Sequence, residues 1–149
     1  MTSDAFNSSL RAYKEKGFFK ELKILRGIER ESLRVDKNGK ISQKNHPKNL
    51  GSPLTNKNIT TDFAEALVEI VTPPFESPEE LFDNLNLLHR FLYSELDDEM
   101  LWNFSMPCAF TNEKEIRIAE YGNSNNGMLK HVYRKGLRLR YGSIMQCVS

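Results

Sequence analysis

Residues 25–35 read LRGIERESLRV, and from Ile28 to Val35 the pattern has period two, the repeat of a β-strand and not of a helix. No other stretch constrains the fold as much, because it sets Glu29 and Glu31 on one face of an element that otherwise suits the interior. Their side chains would stem from positions about 6.5–7 Å apart. Two carboxylates held in that way raise the free energy unless something positive sits between them. Asp36-Lys37-Asn38-Gly39 then supplies hairpin-turn chemistry, which predicts a short return strand near Lys40–Gln43.

Around this strand the other elements can be placed. Phe18, Leu22, Leu25 and Ile28 recur at helical spacing and predict a helix that Gly27 would close. Residues 44–60, with two prolines, a glycine and many polar side chains, read as a long loop of the kind that usually carries function. Ala66–Thr72 is β-branched in its second half and stops at Pro73-Pro74, so a strand is expected there. Ser77 as N-cap, Pro78 in the first turn and Glu80 as the capping-box acid begin a helix to about Leu96, with Leu81, Leu85, Leu88 and Leu92 on one face. Residues 101–108 (LWNFSMPC) read as a loop, a further helix is expected from about Met128 to Arg140, and residues 141–149 look like the first half of a strand. No repeat divides the chain. The expected class is α+β, an antiparallel sheet with flanking helices in one domain.

Lys plus Arg number 21 against 20 acids, a balance that argues against a partner held mainly through a nucleic-acid backbone. No apolar run approaches the length needed to span a bilayer, and the N-terminus carries no apolar targeting core, so no membrane partner is expected. Cys108 and Cys147 have no ligand spacing around them and read as free thiols in a reduced, cytoplasmic setting.

Any charge-based chemistry must therefore be local. Glu69, with Glu65 at the same parity, lies on the second expected strand, and Asp62 stands just ahead of it. If the strands are neighbours, four or five carboxylates converge, and they cannot all stay ionised in a dry site without cations. Magnesium suits such oxygen donors. The same acids could instead form a solvated strand face or pair with Arg30, Arg34 or Lys20 across strands. Lys130, Arg134 and Arg138 form a stripe at i, i+4, i+8 that could hold a carboxylate or phosphates, or simply lie in solvent at the basic end of a helix. His46, His89 and His131 have no partners in sequence that suggest a triad or a metal pair. Residues 119–127 (AEYGNSNNG) lack the lysine of a P-loop.

Taken in order, GIERESLRV, LGSPLTNKNITTDFAEALVEIVTPP, SMPC, AEYGNSNNG and YRKGLRLRYGSIMQ resemble the N-terminal third of the proteobacterial type of glutamate-cysteine ligase. The resemblance implies part of a glutamine synthetase-like catalytic fold whose curved antiparallel sheet holds ATP and magnesium ions on rows of carboxylates. It implies an ATP-dependent ligation of L-glutamate, activated as an acyl phosphate, to L-cysteine, the first step of glutathione biosynthesis. By the same resemblance Glu29, Glu31, Asp62 and Glu69 match acids at the metal site, and Arg134 and Gln146 match positions that bind the amino-acid substrates. The family's closing strand continues into a Ser-Gly-x-His stretch that this sequence does not reach, so a fragment inactive on its own is expected. The other reading is a non-catalytic module derived from the ligase that binds a divalent ion or a partner protein.

Overall fold

A computed structural model describes residues 3–20 and 22–144. Helix α1 (Ser3–Glu15) leads, and strands β1 (Glu29–Val35), β2 (Ile59–Thr61) and β3 (Leu67–Val71) precede helix α2 (Pro78–Ser94). Strand β4 (Met100–Trp102) and helix α3 (Asn125–Tyr141) complete the order. The four strands form one sheet in the order β2-β3-β1-β4, every pairing antiparallel. This is the expected α+β arrangement.

The register follows from which residues want the interior. Leu33 stands opposite Leu67, and these two join Val35, Ile41, Phe63, Ala66, Cys108 and Ile116 in one apolar cluster. Residues of the other parity, Val68 and Ile70, join Ile59 and Leu101 under Leu92 and Leu96, with Leu85 and Leu88 partly buried beside them. Helix α2 thus covers one face of the sheet with the leucine stripe its sequence carries. Its start is capped as expected, Ser77 Oγ accepting from Glu80 N at 3.3 Å. The reciprocal half of a capping box does not form, and Ser77 Oγ instead donates to Glu79 at 2.7 Å.

Three local expectations are corrected. Among the described residues the helix predicted over residues 18–28 does not form: α1 ends at Glu15, one short 3-10 turn occupies Phe18–Lys20, and residues 22–28 carry no helix. Backbone pairing decides the matter, since Arg26 and Phe75 exchange two bonds of 2.9 Å and Thr72 N donates to Ile28 O at 2.9 Å. Leu22 and Leu25 are left exposed, so their helical spacing was not a buried stripe. Gly27 has no positive φ and closes nothing. Residues 101–108 are also not all loop, because Leu101 and Trp102 belong to β4, paired with Arg34 and Leu33. The long loop gives up Ile59–Thr61 to β2. The hairpin turn is as read, with Gly39 at φ 73 and Asp36 N donating to Lys40 O, although the return strand reduces to isolated bridges at Lys40 and Ile41. The closing strand, Gln146 and Cys147 fall largely or wholly outside the described residues.

Helix α3 packs Leu137 against the apolar cluster and exposes Lys130, Lys135 and Arg140, yet it also buries one charge. Gly127 and Arg134 are its buried residues, whereas Met128, Leu129, Val132 and Leu139 are exposed, Leu139 to 90%.

Candidate active site

Glu31 and Glu69 stand directly opposite each other in the β1–β3 register, and Thr60 of β2 stands on the far side of Glu69. Glu29 follows on the same side of β1 by strand parity, opposite Val71. One sheet face therefore changes from apolar at Leu33 and Leu67 to acidic two residues further along. Like charges placed directly across a ladder repel, and both carboxyl groups are shifted upward, with burial the first cause in each. Glu31 is pushed above the usual carboxylate range by partial burial first, then by Asp62 and Glu29. Glu69 is pushed up by burial first, then by Glu31, Asp62 and Glu29, with Lys130 opposing the shift. All four predicted acids thus act on one locus.

Asp62 arrives differently. It lies just past the end of β2 and is gripped by Arg134 of α3, whose Nε donates to the Asp62 carbonyl at 2.6 Å and whose Nη2 donates to the carboxylate at 2.7 Å. Arg134 is only 9% exposed. The reach is set by a close approach at the start of α3, where a Cβ on Gly127 would meet the Gly122 carbonyl oxygen at 2.5 Å and that of Tyr121 at 2.6 Å. Ser124 caps this end, its hydroxyl accepting from Gly127 N at 3.1 Å.

Other candidates go elsewhere. Glu65 is buried, its two carboxylate oxygens each accepting a backbone N–H at 2.8 Å, from His46 and Glu120, so it ties loops together. Arg34, raised above as a cross-strand partner for the acids, is fully buried, its Nη1 donating to both carboxylate oxygens of Glu99 at 2.8 and 3.0 Å and its Nη2 to the Lys44 and Glu65 carbonyls. Arg30 reaches His89 at 2.9 Å and also Asn103. His131 faces the Ala119 carbonyl. Of the basic stripe, Lys130 lies over the Tyr121 ring at 4.6 Å and Arg138 contacts the Glu113 carbonyl at 3.4 Å. Beside Glu29 and Glu31 an open cleft of about 490 Å³ is further lined by Arg30, Ser32, Asn103 and Phe104. Sequence reasoning missed Tyr121 and Glu99, and nothing in their neighbours' spacing marks either one.

The acids on this face offer carboxylate oxygens, with Glu31 and Glu69 held toward protonation by burial and by neighbouring acids, and oxygen donors of that kind suit a hard divalent cation. Among the described residues no group of three or more Asp, Glu, His or Cys side chains is arranged to hold a metal ion, so the chain supplies the donor type and not a completed ligand set.

Comparison with known proteins gives the family of the chain and not the roles of these residues. A model of the glutamate-cysteine ligase family matches residues 9–149. A glutamate–cysteine ligase of Pseudomonas putida (strain W619) is 56% identical over 125 residues, which is 84% of this chain and 24% of the relative, and one of Pseudomonas syringae pv. syringae is 54% identical over the same length. The chain therefore spans about a quarter of the length of the curated relatives it matches. The crystal structure of a glutamate–cysteine ligase from Francisella tularensis, in complex with AMP, has a TM-score of 0.81 and 46% identity, covering 83% of this chain and 25% of that one. A bifunctional glutathione synthetase from Pasteurella multocida has a TM-score of 0.71 and 34% identity, covering 82% and 16%.

Proposed function

The chain belongs to the glutamate-cysteine ligase family, and on that premise we propose that the protein carrying it joins L-glutamate to L-cysteine with cleavage of ATP, the carboxylate face being the cation-holding side of the site. The observation that carries this reading is the registered opposition of Glu31 and Glu69, with Glu29 and Asp62 acting on the same locus. An AMP-bound relative supports the nucleotide. The all-oxygen donor set supports magnesium as the ion, with Glu29, Glu31 and Glu69 as holders and Asp62 beside them.

In the reaction so proposed, the γ-carboxylate of glutamate attacks the γ-phosphorus of ATP and ADP departs. The amine of cysteine then displaces phosphate from the acyl phosphate, giving γ-glutamylcysteine. Both steps crowd anionic oxygens together, so rate depends on positioning and on charge neutralisation. A bound divalent cation supplies that positive charge. The chain's own part is to hold the acids in register through β1 and β3 and to fix Asp62 through Arg134. Arg134 and Gln146 belong to the same proposal as contacts to the amino-acid substrates, Arg134 with its Nε and Nη2 already committed to Asp62. No helix of the described residues is long and apolar enough to cross a membrane. A cytoplasmic setting, where thiols stay reduced, accords with a thiol-bearing substrate.

The test is ADP release dependent on glutamate, cysteine and Mg²⁺, measured on the protein that carries this chain. Glu31→Gln is expected to lower the rate by about 100-fold or more while leaving the protein folded. Wild-type turnover in that variant, or no turnover dependent on both amino acids in the parent protein, overturns the reading.

A further inference from the structure

Asp62 sits in the irregular segment between β2 and β3, where no strand ladder holds its backbone. Something else must fix it, and Tyr121 does so from two directions. Its hydroxyl stands 2.5 Å from the Thr61 carbonyl oxygen and 2.9 Å from that of Asp62, so one proton is shared between two successive acceptors. Its ring lies under the Arg134 guanidinium at 4.8 Å and the Lys130 ammonium at 4.6 Å, cations drawn to the electron-rich ring. Arg134 in turn holds both the carbonyl and the carboxylate of Asp62. Tyr121 is 4% exposed, and burial pushes its phenol up to about 12, so the hydroxyl remains a donor at any physiological pH.

We propose that Tyr121 is a positioning residue for the Asp62 carboxylate, pinning the end of β2 through its hydroxyl and the Arg134 fork through its ring. Asp62 then enters the carboxylate face in one orientation. The inference rests on the reading above, that this face holds a divalent cation. Tyr121 touches neither cation nor substrate in this role, and every effect it has must pass through Asp62.

That requirement makes a double-mutant cycle decisive. Mg²⁺ affinity is measured by calorimetry, with Mn²⁺ as a second probe, on the protein carrying this chain and on its Asp62→Asn, Tyr121→Phe and doubly substituted forms. Metal-free melting curves accompany each titration. Asp62→Asn is expected to weaken Mg²⁺ binding by about 10-fold or more, and Tyr121→Phe by about 5- to 10-fold. On the Asp62→Asn background Tyr121→Phe is expected to change affinity by less than about 2-fold. If Tyr121→Phe does not fold, Tyr121→Met removes the same hydroxyl and takes its place in the cycle. Unchanged Mg²⁺ affinity in Tyr121→Phe, with Asp62→Asn weakened, overturns the inference and leaves the functional reading intact, as does a full independent loss in the double variant. Unchanged affinity in Asp62→Asn overturns the inference alone, because Glu29, Glu31 and Glu69 are the proposed holders, whereas no Mg²⁺ binding by the unsubstituted protein overturns the functional reading as well. A lower melting temperature with unaltered affinity is what a merely structural tyrosine gives, and it too overturns the proposal.

Discussion

Glu31 and Glu69 carry opposed consequences for stability and for ion binding. Both carboxyl groups are held above the usual carboxylate range, mainly by burial. A raised carboxyl contributes stability that is fully present below its unfolded value and is lost as pH rises through the folded one. Without a cation, then, the protein is expected to lose stability as pH climbs from about 4.5 toward neutrality on account of these two groups. Glu31→Gln or Glu69→Gln should raise metal-free stability at pH 7 by about 0.2–1 kcal/mol in urea unfolding. Added Mg²⁺ should raise the melting temperature of the wild type more than that of either variant, and an equal rise in all three would contradict the assignment. At the opposite pole lies the Arg34–Glu99 pair, 0% and 6% exposed at the side chains. Removing one partner of a buried pair strands the other charge, so Glu99→Ala should cost about 3–5 kcal/mol, read from the urea midpoint.

Among the elements, α2 was legible because cap, first-turn proline and leucine stripe all agreed, and the structure starts it at Pro78. Ser77→Ala should destabilise by about 1 kcal/mol in the same assay. The helix read over residues 18–28 had periodicity and a closing glycine, Gly27, but no cap at its start, and backbone pairing of Arg26 with Phe75 overrides it. Strands β1 and β3 were legible from Glu29–Val35 and from the stop at Pro73, whereas β2 and β4 have three residues each, too few for a period to show. The carboxylate face followed from strand parity, so Glu29, Glu31 and Glu69 could be found. Which arginine meets which acid could not be found that way, since Arg34 and Arg134 are placed by packing between elements distant in sequence. Helix α3 depends on a glycine that periodicity ignores. Gly127→Ala should push α3 off the 121–122 backbone, loosening Arg134 from Asp62. It should lower both melting temperature and Mg²⁺ affinity, and a melting curve that matches the wild type would refute the tight fit.

Taken whole, the molecule buries one arginine of α3, Arg134, while leaving Met128, Leu129, Val132 and Leu139 exposed among the described residues. An uncovered stripe of this kind favours self-association. Leu139→Lys should reduce light scattering at high concentration while changing stability by no more than about 0.5 kcal/mol. The sheet links this architecture to its chemistry. Because Leu33 and Leu67 pack the interior two residues from Glu31 and Glu69 on the same strands, a one-residue slip of β1 would turn its acids to the wrong side. A two-residue slip would thrust Glu31 into the place of Leu33 among hydrocarbon neighbours. Assembly of the oily half is therefore the proofreader of the polar half: a chain that has docked its greasy residues has already aligned its anions, and a misaligned one leaves an acid stranded among hydrocarbon.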